Sequence, residues 1–301
     1  MYKKILVPLD GSKTAEAVVP LARSWSTRLN LPVELIAVVD TMDLARNLAT
    51  IERFYINNLV DEETRRCGEY LEKTAKNFFP DGCRSRLEKG SAANIIIDAA
   101  AADQSTLIMM ATHGRSGIHR WLLGSVAEKV LRGTSNPLLL VRAPRETRAG
   151  GQAVLNSIVV PLDGSALAEQ ALPSVAELAK KLDVEVILFR AYTAPYDIYG
   201  AAGSYTVDQD QLRAAIGTDV SQYLEEKADV LRKAGLERVL CASREGFSAD
   251  EIIKYARGRP DSLIAICTHG RSGVKRWVLG SVTETVVRHS VDPVLILRAP
   301  S

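Results

Sequence analysis

Apolar residues fall into short continuous runs separated by longer stretches in which they recur every three or four positions, and the two patterns alternate along the chain. In KKILVPL (3–9), VELIAVV (33–39) and TLIMMA (106–111) the apolar positions run on without polar alternation, as in strands buried on both faces. Residues 58–79 and 219–234 carry apolar side chains at helical spacing, and 93–101 reads as a short helix after a strand around Leu87. Closing strands are expected at 137–141 and 293–297. Strand and helix in alternation predict a parallel sheet. Ser12 is placed to cap the helix after the first strand; Pro20 falls inside that helix and its counterpart Pro173 does the same, so a kink is expected at each.

The whole pattern occurs twice. Residues 5–20, ILVPLDGSKTAEAVVP, match 158–173, IVVPLDGSALAEQALP, at 10 of 16 positions with an offset of 153, and 111–144 match 267–300 at 20 of 34 positions with an offset of 156. The chain is a tandem duplication, and the polar stretch RETRAGGQA (145–153) is its natural linker. Domains are therefore expected at 1–144 and 156–301, joined by 145–155, which suits a 301-residue chain of twice the ordinary domain size.

Composition narrows the classes. With 47% hydrophobic and 25% charged residues the chain can bury full cores and is not disordered. It contains no apolar run long enough for a transmembrane helix, and its start reaches Asp10 after too few apolar residues for a signal-peptide core. Four cysteines (Cys67, Cys83, Cys241, Cys267) without CxxC spacing suit a reducing compartment and give neither a disulfide framework nor a metal site. A cytoplasmic protein with no membrane partner is expected. The net charge of +2 gives no sign of a nucleic-acid partner.

Candidate chemistry lies at strand ends. In an open parallel sheet, ligands bind beyond the carboxyl ends of the strands, where neighbouring loops part. Pro8-Leu9-Asp10-Gly11-Ser12 follows the first strand and Thr112-His113-Gly114-Arg115-Ser116-Gly117 the fourth. Neither G-x4-GK[ST] nor GxGxxG occurs. Gly114 and Gly117 nevertheless let a backbone approach a ligand, while Gly124-Ser125 opens a helix whose unpaired amides and positive dipole end suit a phosphate; the Ser125 hydroxyl adds a donor.

The strand-end VPLDGS, the ATHGRSG loop with nine residues between Gly114 and Gly124-Ser125, and the closing NPLLLVR together resemble the universal stress protein family, in both halves of the chain. Nucleotide-binding members of that family carry G-x2-G-x9-G-[ST]. This chain reads Ala111-x2-Gly114-x9-Gly124-Ser125 and Cys267-x2-Gly270-x9-Gly280-Ser281, so the first glycine is replaced in both copies. The resemblance implies an α/β fold: two Rossmann-like domains of the adenine nucleotide alpha hydrolase-like kind, each a five-stranded parallel sheet flanked by helices. It implies ATP, or ADP or AMP, cradled between the first and fourth strands, with Mg²⁺ accompanying ATP. Carried over by position, Pro8, Leu9, Asp10 and Val38 line the adenine end, with Ala111, Gly114, Gly117, Gly124, Ser125 and Val126 at the ribose and phosphates. The second copy repeats this with Pro161, Leu162, Asp163 and Ala191, then Cys267, Gly270, Gly273, Gly280, Ser281 and Val282. Arg115 and Arg271 are added by charge logic rather than by the family pattern, as guanidinium groups placed to neutralise phosphate.

The function implied is nucleotide-dependent switching of shape or partner affinity in a stress response, with at most slow hydrolysis, because only a phosphate cradle and no set of residues for a metal and an attacking water is visible. Two alternatives stay open: a nucleotide-free scaffold whose crevices Ala111 and Cys267 have closed, and an ATP-using enzyme of the same α/β class, although PLDGS lacks the loop such an enzyme needs. Ser125 and Ser281 also read as plain helix caps, and His113 and His269 as loop histidines bonded to backbone. Tyr192, Tyr196, Tyr199 and Tyr205 read as part of a loop over the second site. The apolar closing strands would be sheet edges if unpaired, so they are expected to pair within the chain as an intramolecular pseudo-dimer; a homodimer of whole chains has no signal in the sequence.

Overall fold

A computed structural model of the protein describes residues 2–40, 53–112, 123–142, 155–193, 209–268 and 279–299. The first copy contains β1 (Lys4–Pro8), α1 (Lys13–Glu16), α2 (Val19–Leu29), β2 (Val33–Val39), α3 (Arg53–Phe78), β3 (Arg84–Lys89), α4 (Ala92–Ala101), β4 (Thr106–Ala111), α5 (Ser125–Gly133) and β5 (Leu138–Val141). The second repeats the order with β6 (Ser157–Pro161), α6 (Ala166–Glu169), α7 (Ala171–Leu182), β7 (Glu185–Tyr192), α8 (Gln209–Lys233), β8 (Val239–Glu245), α9 (Ser248–Arg257), β9 (Ser262–Thr268), α10 (Ser281–His289) and β10 (Val294–Arg298). Each copy thus contributes five strands to an α/β fold with mostly parallel pairing. No helix among the described residues is long and apolar enough to cross a membrane.

Contacts divide the described residues into two compact units. In the first, the strands run β3-β2-β1-β4-β5, all parallel, with Ile5 opposite Val33 on one side and Leu107 on the other. All six residues of β4 and all but Lys4 of β1 are buried, which is why these runs show no polar alternation. In the second unit the order is β9-β6-β7-β8, again parallel, with Ile158 opposite Val186 and Leu263.

β10 belongs by its contacts to the first unit, because it lies antiparallel against β5 with Leu295 opposite Leu139. The two closing strands therefore do pair. Six apolar side chains, Leu138–Leu140 and Val294–Ile296, are at most 3% exposed along this seam. The Arg298 guanidinium, at the end of β10, donates to the Leu131 carbonyl at 2.5 Å.

The expected proline kinks are absent. After Ser12 caps α1 through its Oγ, which accepts the Ala15 amide at 3.0 Å, α1 ends at Ala17 and α2 begins afresh with Val18 as its cap. Pro20 then occupies the first turn of α2, and Pro173 the third position of α7, where an amide has no partner inside the helix and its loss costs nothing. The periodicity also places the start of α8 ten residues late. From Asp210 to Asp219 it presents no fully buried side chain, although Leu212 and Ile216 continue the four-residue spacing back from Val220.

One buried position separates the copies energetically. Asn136, fully buried ahead of β5, donates through Nδ2 to the carbonyls of Ala100, Asp103 and Thr106, tying the end of α4 to the start of β4. Its equivalent ahead of β10 is Asp292, whose amide repeats the bond to the hydroxyl two residues back, on Ser290, but whose Oδ2 is buried and without a hydrogen bond. An ionised carboxylate cannot donate to carbonyls. Ser262 Oγ serves one of them instead, donating to Ala256 at 3.0 Å. Burial pushes the Asp292 pKa up to about 6, with Arg257 opposing and Asp261 reinforcing the shift. Because the folded pKa lies above the ordinary carboxylate value, the stability this group contributes is complete below about pH 4 and is lost as pH rises through about 6. Asp292→Asn should therefore stabilise the protein at pH 7 by about 1–2 kcal/mol, a figure discounted for the partial solvent access of the site, and should leave it unchanged near pH 4. The reciprocal Asn136→Asp should cost about 3 kcal/mol at pH 7 and recover in acid. Urea unfolding at the two pH values checks both.

Candidate functional site

The strand order sets where a crevice opens. β1 lies between β2 and β4; the chain leaves β1 through α1 and α2 toward β2, and leaves β4 through α5 toward β5, so the two connections part at the carboxyl ends of β1 and β4. β6 lies between β7 and β9 in the same way.

The loop after each first strand is built alike. Leu9 donates its amide to Ile36, and Leu162 to Phe189, at 2.9 and 2.8 Å, anchoring each loop to the neighbouring strand. Asp10 and Asp163 each accept the amide two residues on, from Ser12 and Ser165, at 2.9 Å. The intervening glycines adopt the left-handed region, Gly11 at φ 81° and Gly164 at φ 89°. Both aspartates therefore brace a turn, with one oxygen committed to it. Burial would raise the Asp163 pKa, but the Ser165 side chain and amide and then the Arg190 charge outweigh it and hold the carboxyl below its ordinary range. Pro8, Leu9 and Leu162 are buried, whereas Pro161 and, at the ends of β2 and β7, Val38 and Ala191 are half-buried.

At the fourth strand, Thr112 donates to Val141 at 2.9 Å and accepts from the Gly124 amide at 2.6 Å, which fastens the start of α5 to the end of β4. The caps of α5 and α10 are Gly124 and Gly280; Ser125 and Ser281 are the first helical residues, not caps, and among the described residues no side chain closes either helix start. The first-turn amides thus have no partner within the helix. Gly280 has φ −57°, accessible to any residue, and a Cβ there would meet nothing within 4 Å among the described residues. Val126 is half-buried and Val282 exposed beside these starts. Ala111 and Cys267, which replace the first glycine, are each 7% exposed within β4 and β9. Gly114, Arg115, Gly117, Gly270, Arg271 and Gly273 lie outside the described residues, as do His113, His269, the linker, Tyr196, Tyr199 and Tyr205. Tyr192, expected in a loop, ends β7.

A cluster beside Asp163 escapes sequence reading. Arg190 of β7 stacks its guanidinium 4.8 Å from the centre of the Tyr223 ring, and two of its nitrogens lie 3.3 and 3.4 Å from where a Cβ on Gly164 would stand. Tyr223 donates to Glu169 at 2.9 Å, and Lys227 pairs with the other Glu169 oxygen at 2.8 Å. Burial and the Glu169 charge raise the Tyr223 pKa, while Lys227 first, and Tyr223 as well, lower that of Glu169 against the effect of burial. The first copy keeps Glu16 and Tyr70 but has Ala37 and Thr74 where the second has Arg190 and Lys227. There the Tyr70 hydroxyl is buried without a hydrogen bond, its pKa raised by burial and by the charge of Glu16. No motif signals the cluster, since its members come from three separate elements.

The universal stress protein family model matches residues 1–142 and again 155–298. A universal stress protein of Mycolicibacterium smegmatis is 22% identical over 302 residues, covering 98% of this chain and 96% of its own. Universal stress protein MJ0531 of Methanocaldococcus jannaschii is 32% identical over 146 residues, covering 48% of this chain and 85% of its own. The crystal structure of a universal stress protein from Archaeoglobus fulgidus superposes over 98% of both chains at a TM-score of 0.68 and 20% identity, a likeness of fold. With both halves matched, the chain belongs to the universal stress protein family, as a tandem member.

Proposed function

We propose that each repeat binds an adenine nucleotide, with ATP the preferred form, at the crevice between its first and fourth strands, and that occupancy switches the protein's shape or partner affinity in a stress response. The observation that carries this is Gly280. Neither its backbone angles nor its described neighbours require glycine, so the missing side chain leaves room for something outside the chain to approach an uncapped helix start. A phosphate fits that demand. Gly124-Ser125 and Gly280-Ser281 would hold phosphate oxygens through first-turn amides and hydroxyls, with Gly114, Gly117, Gly270 and Gly273 closing the cradle and Arg115 and Arg271 balancing charge. Pro8, Leu9, Val38, Pro161, Leu162 and Ala191 would give the base an apolar seat, and Asp10 and Asp163 would set the strand-end turn beneath it. Mg²⁺ would enter with ATP as a phosphate counter-ion. The described residues bracket the crevice with main-chain donors and a braced turn, an arrangement suited to holding a nucleotide and only slowly to hydrolysing it.

Titration calorimetry with ATP should find two equivalents bound per chain. Gly124→Asp combined with Gly280→Asp should abolish the heat by setting a carboxylate against the phosphates, without loss of thermal stability in the free protein, because the Gly280 side is open. In the wild type, ATP at a hundredfold excess over Kd should stabilise the fold by about 2.7 kcal/mol for each occupied site. Full affinity in the double variant would refute the cradle, and no heat from the wild type at millimolar ATP would leave the nucleotide-free scaffold.

A further inference from the structure

The strand-end loops of the two repeats share a backbone and differ in what holds them. In the second, residues 163–169 are flanked from two sides: Arg190 of β7 packs over Gly164, and Tyr223 and Lys227 of α8 bond to Glu169 at the end of α6. The same guanidinium stacks on Tyr223, so the contacts form one connected set. In the first repeat the methyl group of Ala37, 2% exposed, replaces the guanidinium, Thr74 replaces the ammonium, and the Tyr70 hydroxyl lies near Glu16 and Thr74 without a well-formed hydrogen bond among the described residues.

We propose that Arg190 is a positioning residue that pre-sets the second strand-end loop, and Asp163 with it, so that the second repeat binds an adenine nucleotide more tightly than the first. This rests on the nucleotide assignment above. Two physical effects act in the same direction. A loop already braced in the free protein loses less conformational freedom when a ligand settles on it, and the saving appears as affinity. Arg190 and Lys227 also bring two positive charges to balance Asp163 and Glu169, against the single Lys13 beside Asp10 and Glu16, where Ala37 and Thr74 bring none, so an incoming polyanion meets less repulsion at the second loop. Arg190 acts through the turn it covers: its nitrogens lie 3.3 and 3.4 Å from where a Cβ on Gly164 would stand, over a glycine that its φ of 89° already requires.

Single-site proteins separate the two repeats. Gly124→Asp leaves the second crevice and Gly280→Asp the first, and calorimetry with ATP on each should show the second binding about tenfold more tightly. In the Gly124→Asp background, Arg190→Ala should remove most of that advantage and Arg190→Lys should restore part of it, since lysine keeps the charge and loses the planar stack. Arg190→Ala should also move the acid limb of ATP binding at this site to higher pH, because Asp163 loses a neighbour that keeps it ionised. A purely structural role would lower the melting temperature of the free protein without this pH shift or lysine rescue. Equal affinities in the two single-site proteins, or an Arg190→Ala variant that binds like its parent, would overturn the proposal. Absence of binding to the wild-type protein would instead remove the nucleotide assignment itself, and the proposal with it.

Discussion

Everything at the site follows from β1 and β6 each standing between two parallel neighbours. A parallel strand cannot hand the chain directly to the next; it must send it over a face of the sheet through a helix. With β2 on one side of β1 and β4 on the other, the two departures go opposite ways, and the backbone they vacate leaves amides at the strand ends without sheet partners. Local chemistry then satisfies those it can. The Asp10 and Asp163 carboxylates take the amides of Ser12 and Ser165, Thr112 takes that of Gly124, and the first-turn amides of α5 and α10 are left over. The crevice is thus a by-product of topology.

What the leftover donors face decides between a structural and a functional glycine. Gly11 and Gly164 are explained by their backbone angles alone, as turn residues. Gly280 is not, and its equivalent Gly124 has the same extended cap conformation at φ −58°. A duplicated chain that keeps glycine at both helix starts, where serine or aspartate would cap better, forgoes a few tenths of a kcal/mol of capping at each. That sacrifice has a physical reason if the amides are reserved for an anion.

Much of this was legible in the sequence because the residues concerned answer to local rules. Continuous apolar runs identify strands covered on both faces, and Ser12 and Ser165 cap as serines do. The duplication is plain from identity alone, and the apolar closing strands announced a seam. The failures are equally physical. Pro20 reads as a kink because a breaker inside a periodic stretch has two outcomes, and which one occurs depends on whether a new helix can start at Val19. For Ser125 and Ser281 the cap stands as an alternative reading because nothing local distinguishes the cap from the first helical position when glycine precedes serine. The Arg190 cluster joins β7, α6 and α8, and an arginine within a strand gives no hint that a tyrosine thirty-three residues later will lie under it.

The two copies also show what duplication permits. Where a side chain serves the shared scaffold, such as the apolar residues of β1 and β6 or the Asp10 and Asp163 turns, the repeats agree, because any change would disturb the sheet that creates the crevice. They differ where a substitution alters charge but spares the backbone: Asn136 against Asp292, and Ala37 against Arg190. The Asp292 substitution leaves a buried oxygen unsatisfied at the entry to β10 and so weakens one copy as pH rises. The Arg190 substitution braces the loop of the same copy at the opposite end of the sheet. A single-domain protein forming a symmetric pair would have to carry both changes in both partners. Within one chain each half changes alone, and electrostatic asymmetry then costs the fold only locally.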